Sequence, residues 1–453
     1  MNNKNMKRIS IIATGVLLTL HTVAQNKSEG IKNLSLKEAI DYAIAHNASN
    51  LNAALDIEAS KYKKKEIAGM GFPQISASLD VKDYEKLPTQ LLPGQFFGAP
   101  PGTYIPVQFG VKYNATGAIQ ASQIVFNSDY IVALQSSKSF LELSEKNYQR
   151  SQIETKVTIT KAYYTVLVNK ERLKLLQANL ERLNKLVEDT KSLNTNGFVE
   201  KIDVTRVTVA YNNLLSEKEK IDRLVGLTET VLKFQMGMEI KSQISLTDSL
   251  QLDNIPVFDI SSSSEFNYKN RIEYSLLESQ QKLNELDVKR GKLRYLPSIF
   301  LYGNYSAQAQ RNEFDFFDTD KKWYPIFIIG GTISLPLFDG FQNHYRLQQS
   351  KVSLLKTINN MNNLKNAVDL EIETSKSSLL NALNTLNIQK TNTELAQEVY
   401  DVAKKKYEHG TGSSIEVMNA ETALKEAQTN YYNALYEYFT AKVDYEKATG
   451  LIK

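Results

Sequence analysis

The chain has 453 residues, with 54 basic and 50 acidic side chains, four histidines and no cysteine. It is long enough for two or three domains, and the missing cysteine excludes disulfides, thiolate metal sites, a cysteine nucleophile and a lipid-modified N-terminal cysteine. No apolar run is long enough for a membrane-spanning helix, and a formal charge of +4 makes no case for nucleic acid.

The N-terminus carries Lys4, Lys7 and Arg8, then the apolar run Ile9 to Leu20, then Thr22-Val23-Ala24. This pattern predicts a secretory signal over residues 1–24, cleaved after Ala24, and its three basic residues account for most of the net charge. Ser35 and Glu38 ahead of Ala39, Ile40 and Ala43 form a capping box, so a first helix is expected from about Leu36 to Ala68 within a segment 25–72.

Residues 73–126 read as a strand pair. Ile75, Ala77, Leu79 and Val81 alternate with polar partners, and Val111 to Ser122 does the same with Val111, Tyr113, Ala115, Gly117, Ile119 and Ala121 on one face. Tyr84 to Gly110 is expected to be a long loop. Neither proline nor glycine interrupts Asn127 to Asn196, so 127–244 reads as a long helical hairpin, with Leu173, Leu176, Leu180, Leu183 and Val187 spaced as a coiled-coil seam. A linker follows at 245–272, with Pro256 and the run Ser261 to Ser264.

The pattern then repeats. A helix is expected within 273–296, a strand pair within 297–338 and a second helical hairpin over 339–453. Leu379, Leu383, Leu386, Leu395, Val399 and Val402 are its expected seam. Gly197 and Gly237 match Gly410 and Gly450 at one offset of 213 positions, and Phe126-Asn127 corresponds to Phe338-Asp339. Matching punctuation at low identity points to an internal duplication, and a repeated unit that cannot bury its own surface must stack.

Four strands of this length suit a bilayer crossing, and aromatic residues near their ends suit the headgroup region. A soluble four-stranded sheet capped by helices satisfies the same alternation. An open edge cannot sit in lipid, so the membrane reading requires other chains: two give eight strands and a filled interior, three give twelve and a lumen.

In its order of helix, strand pair and long helical hairpin, repeated once, with hairpin turns at Gly197 and Gly410, the chain resembles the TolC-like outer-membrane efflux proteins over nearly its whole mature length. The resemblance implies a mixed α and β fold with internal duplication. A long periplasmic α-helical barrel of coiled-coil hairpins would continue a 12-stranded transmembrane β-barrel, shared by a homotrimer with four strands per chain. It implies an outer-membrane location, contact with outer-membrane lipid, and docking to a periplasmic adaptor (membrane fusion) protein and an inner-membrane transporter. It also implies roles for particular residues. Gly197, Phe198, Val199, Gly410, Thr411 and Gly412 match the adaptor-docking turns, and Glu416 and Asn419 match a pore constriction. Asp203 and Tyr407 match residues that hold the closed tip. Asn419 stands where the family often has a second acid, and Gly412 where it sometimes has a basic residue, so the constriction ring is weaker and a salt bridge to Asp203 is unsupported. The glycines also read simply as helix terminators.

No catalytic constellation is present. His46, His344 and His409 lie in no recognisable catalytic or metal-binding motif, so no catalytic residue, metal site or cofactor is expected. The reading from another class is an exported coiled-coil scaffold without a pore.

Overall fold

The computed structural model describes residues 32–250 and 266–452. The expected signal segment 1–24, Pro256 and Ser261 to Ser264 lie outside these residues. In chain order the elements are β1 (Lys32–Leu34), α1 (Leu36–His46), α2 (Ala48–Gly69), β2 (Gln74–Asp83), β3 (Thr89–Pro93), β4 (Tyr104–Gln108), β5 (Tyr113–Phe126), α3 (Ser128–Thr195) and α4 (Lys201–Met236). Then come β6 (Ile244–Leu246), α5 (Ile272–Leu293), β7 (Ser298–Arg311), β8 (Tyr324–Ser334), α6 (Gln342–Glu408) and α7 (Ser414–Ala448). Helices α3 and α6, of 68 and 67 residues, are each about 100 Å long at 1.5 Å per residue.

The expected first helix is two. Asn47 leaves the helical region (φ −65°, ψ 131°) and its side chain accepts a hydrogen bond from the Ser49 N–H at 2.8 Å, starting a new helix. An asparagine that competes for backbone donors ends one helix and caps the next. The expected loop 84–110 also contains structure, because β3 and β4 pair as an antiparallel hairpin there.

The chain divides into two compact units, residues 32–43 with 162–250 and residues 44–161 with 266–452. In the first, the C-terminal half of α3 supplies Leu176, Leu180, Leu183 and Val187 to a core that includes Val207, Leu214, Ile221 and Leu232 of α4, while Leu173 is half-buried. The ion pairs Lys170–Glu229 (2.7 Å) and Arg172–Glu217 (3.4 Å) flank it. A parallel pairing of β1 with β6 closes the other end. Tyr163 donates to the Leu34 carbonyl (2.9 Å) and to Asp248 (3.1 Å), whose carboxylate also accepts the Leu36 N–H at the start of α1. Burial, then the bond to Asp248, pushes the Tyr163 hydroxyl far above the usual phenol range.

The second unit holds the sheet, in the order β2-β5-β7-β8 with every neighbour antiparallel. Below it, α2 meets α3 through small polar side chains. Asn50 donates to Thr155 (2.9 Å) and accepts from Ser151 (2.8 Å), and Ser60 bonds Ser144 (2.8 Å). Helix α5 is pinned to α3 by Lys146 to Ser279 (2.8 Å), Lys282–Glu142 (2.9 Å) and Arg294–Asp129 (3.1 Å). Leu379 and Leu386 of α6 are buried, as are Val417, Leu424 and Leu435 of α7. The other half of the expected second seam is not in this core: Leu395, Val399 and Val402 are exposed on α6.

Arg271, at the start of α5, is a buried cation of the second unit. It is 5% exposed and donates to the Ala448 carbonyl at the end of α7 (2.9 Å), to Glu371 of α6 (2.8 Å) and to Glu273 (3.0 Å). Burial alone would raise the Glu273 carboxyl, but hydrogen bonds from Arg271 and the backbone, with the Arg271 charge, hold it below the ordinary carboxylate value. The stability this cluster contributes is therefore complete above the ordinary carboxylate range and is lost as pH falls through the lowered Glu273 value. Arg271→Met, which leaves the half-buried carboxylates and the helix-end carbonyl unpaired, should cost about 2–4 kcal/mol at neutral pH. Thermal unfolding at neutral and acid pH checks this, and the variant should lose less on acidification than the native chain.

Candidate functional site

The sheet sorts its side chains by face. Register pairs Ala77 with Ile119, Ile119 with Tyr305 and Tyr305 with Phe327; the next row is Ile75, Ala121, Gly303 and Ile329. All these residues share one face, as period-two alternation requires. The opposite face carries Ser76, Ser78, Asp80, Asn114, Thr116, Gln120, Asn304, Ser306 and Gln308, and is polar except toward β8 and the helical end of β7, where Ile326, Ile328, Phe300 and Tyr302 share it. The expected apolar set Tyr113, Ile119 and partners thus falls on a single surface, and Ile75, Leu79, Ile119, Phe327 and Ile329 are exposed on it. Both outer strands, β2 and β8, end the sheet without a neighbour among the described residues.

The hairpin turns are built alike. Helix α3 closes on Gly197 (φ 79°), whose N–H donates to the Asn194 carbonyl (3.0 Å) while the Phe198 N–H donates to Leu193 (2.9 Å). Helix α6 closes on Gly410 (φ 74°), with Gly410 to Tyr407 (3.0 Å) and Thr411 to Lys406 (2.9 Å). These paired bonds define the Schellman helix end, whose left-handed residue glycine supplies without strain. Gly237 and Gly450 end α4 and α7 with the same two bonds. The 213-position offset is therefore an offset between identical hydrogen-bonded motifs.

The offset continues into the following helices. Glu200 and Ser413 are their N-caps, so Asp203 and Glu416 occupy equivalent third positions. Asp203 accepts the Glu200 N–H at 3.3 Å in a reciprocal capping box and pairs with Arg206 at 3.4 Å. The Glu416 N–H donates to Ser413 Oγ at 3.3 Å, and its carboxylate is exposed. Phe198, beside Gly197 and Val199, is 77% exposed. Tyr407 is buried in the second unit, one turn before Gly410.

The expected constriction residues come together. Glu416 and Asn419 line an open groove of about 570 Å³ with Val399, Val402, Lys406 and Glu398. Glu398, which sequence reasoning passed over, brings a carboxylate from α6 about two helical turns farther from the turn. Its signal was available only through the hairpin pairing, since nothing in its local sequence marks it. Gly412 has a separate constraint, because a Cβ there would lie 2.9 Å from Lys406 Cβ and 3.1 Å from the Tyr407 nitrogen. Among the described residues no cluster of histidine and carboxylate ligands suited to a metal is found.

Comparison with known proteins agrees with this architecture. Residues 276–451 match the family described as outer membrane efflux protein. The outer membrane protein TolC of Vibrio cholerae is 19% identical over 74% of the chain and 77% of its own length. The probable efflux pump outer membrane protein TtgC of Pseudomonas putida is 19% identical over 92% of the chain and 83% of its own length. The crystal structure of the outer membrane protein VceC from Vibrio cholerae superposes with a TM-score of 0.68 at 16% identity, covering 92% of this chain and 96% of that one. The fold is that of the VceC chain, long helices joined to a four-stranded β-sheet. The chain is similar to these outer-membrane proteins over most of its length, residues 276–451 match the outer membrane efflux protein family, and these likenesses place it in the outer membrane with helices extending into the periplasm.

Gly412→Ala should force the second turn apart and lower the thermal midpoint by several degrees, whereas Thr411→Ala, on an exposed side chain, should leave it within a degree or so. Circular dichroism melts of the two variants decide whether Gly412 is held by packing.

Proposed function

We propose that three copies of this chain form the outer-membrane channel of a tripartite efflux or secretion system, docking to a periplasmic adaptor and an inner-membrane transporter. The observation that carries this reading is the four-stranded sheet with one apolar face and two unpaired edges. Such edges in lipid require neighbours, and three sheets make a closed barrel of twelve strands with room for a lumen. A second observation supports it. Ile388, Leu395 and Val402 recur at seven-residue spacing on α6 with Val399, and all are exposed in the single chain. A heptad stripe this exposed among the described residues suits packing against a neighbouring chain.

The mechanism is passive. The polar sheet face lines the pore, the inner-membrane partner supplies the energy, and no residue here is asked to do chemistry. Glu416, with Asn419 beside it, forms the constriction, and the three-fold axis multiplies the carboxylate into a ring that favours cations. Asp203 and Tyr407 hold the closed tip. Gly197, Phe198, Val199, Gly410, Thr411 and Gly412 form the adaptor-docking turns, with exposed Phe198 the largest contact side chain. The exported scaffold without a pore accounts for the long helices but leaves the apolar sheet face without a role.

The test is mass and planar-bilayer conductance on protein extracted from outer membranes. A trimeric mass with discrete conductance steps is expected; a soluble monomer without conductance would overturn the channel. Glu416→Ala should weaken block by multivalent cations without changing the trimer, and unchanged block removes Glu416 from the constriction. Ile119→Arg should impair insertion by about 2–4 kcal/mol near the midplane, read as loss of the folded form in vesicles; a variant that inserts normally counts against a lipid-facing Ile119.

A further inference from the structure

We propose that the loop between β7 and β8, residues 312–323, is a collar embedded in the lipid on the outside of the barrel wall, in place of a lid over the channel mouth. The inference rests on the barrel reading above and adds to it the position and partner of this loop.

The loop folds back onto the sheet. Phe316 covers Ala115 and Ala309, which are 1% and 0% exposed, with Tyr113 and Trp323 packed at the side. Ring contacts continue outward: Phe316 with Trp323 (6.1 Å), Phe314 with Phe316 (5.4 Å), and Phe314 with Tyr113 (5.7 Å). Arg311 pairs with Asp315 (3.4 Å) and donates to the Lys322 carbonyl (2.9 Å), and Lys321 also pairs with Asp315, which pins both ends of the turn.

The register says which face is covered. Ala115 lies opposite Ala309 and Tyr113 opposite Arg311, in the same alternating set as Ile119, Tyr305 and Phe327. The loop therefore sits on the apolar face and leaves the polar face open. Apolar rows run from Phe126, Ile299 and Ile333 to Val81, Ala115 and Ala309, which places the Ile119 and Tyr305 row near their middle. Ala309 is four residues along the strand from Tyr305, about 13 Å, or about 10 Å along the membrane normal for a tilted strand. An apolar band about 25 Å tall reaches about 12 Å from its centre, so the collar's seat lies inside the upper edge of that band.

The exposed aromatic side chains of the collar match that depth, while its exposed charged residues, Glu313, Asp318, Asp320, Lys321 and Lys322, belong in the headgroup layer above it. Phe317 is 89% exposed and Phe314 is also exposed, continuous with the apolar wall. Their partner is the upper acyl and glycerol region of the outer leaflet, where aromatic residues are stabilised by an apolar body beside a polar boundary.

The chain has a single tryptophan, and it is Trp323. Its fluorescence in vesicle-reconstituted full-length protein reports the collar alone. Lipids brominated high on the acyl chain should quench it more than lipids brominated deep, and aqueous iodide should quench it little. Phe316→Ser, which unseats the collar without touching the strands, should raise iodide quenching several-fold. A second reporter, Ile119→Trp with Trp323→Phe, should be quenched best by deep bromines. Quenching of Trp323 by iodide alone, with Trp at 119 still quenched by lipid, would overturn the collar and leave the barrel standing. Trp323 protected from both quenchers would overturn it in favour of cover by a neighbouring chain, and loss of lipid quenching at both positions would overturn the barrel reading beneath it.

Discussion

The rest of the structure depends on one constraint: in hydrocarbon, every backbone N–H and C=O must find a partner within protein. The sheet meets it inside, where β2, β5, β7 and β8 are each hydrogen-bonded to the next, and fails to meet it at its two ends. A sheet edge in lipid costs several kcal/mol per unpaired group, far more than the weak preferences that set helix ends or loop shapes. The proposed assembly follows from this cost more than from any attraction between particular side chains. The exposed apolar face, which would be an aggregation hazard in water, is then the surface that lipid is meant to cover.

The helical part answers a different demand. Without disulfides, long helices must be held in register by packing, and two solutions occur. Some contacts are dry, as where Leu176, Leu180 and Leu183 of α3 are buried. Others are polar, as where α2 meets α3 through Asn50, Ser151, Thr155, Ser60 and Ser144. Small hydroxylated side chains allow close approach of the helices while fixing register, because a slipped helix would leave Asn50 buried and unpaired. Arg271 performs a related task at a helix end, tying the last carbonyl of α7 to α5 and α6.

Much of this was legible in the sequence, for a physical reason. Period-two alternation marks a strand half-buried in anything, and β5 and β7 follow it where they pair from Tyr113 with Arg311 to Ile119 with Tyr305, losing it toward the helices at Ile299 to Tyr302 and Ile124 to Phe126. The long helices announced themselves by lacking proline and glycine, and the hairpin turns by glycines that the Schellman geometry requires. Features set by partners distant in sequence were hidden. The parallel clip of β1 with β6 joins segments about 200 residues apart, and Arg271 acquires its importance only when α6 and α7 arrive beside it. The break at Asn47 was missed because helical periodicity continues across it while one side chain captures the Ser49 N–H. Glu398 reaches the groove of Glu416 only through the folding of the hairpin.

The equivalence of the two turns has a consequence of its own. Backbone geometry at Gly197 and Gly410 is the same, but the residue that follows is Phe198 in one copy and Thr411 in the other. An assembly of three chains therefore displays six turns of a single backbone shape and two chemical kinds, aromatic and hydroxylated. A partner that reads only backbone could bind all six alike, with six-fold stoichiometry. One that reads the side chain would fill three and leave three, so the ratio of partner to channel would disclose which kind of recognition is at work.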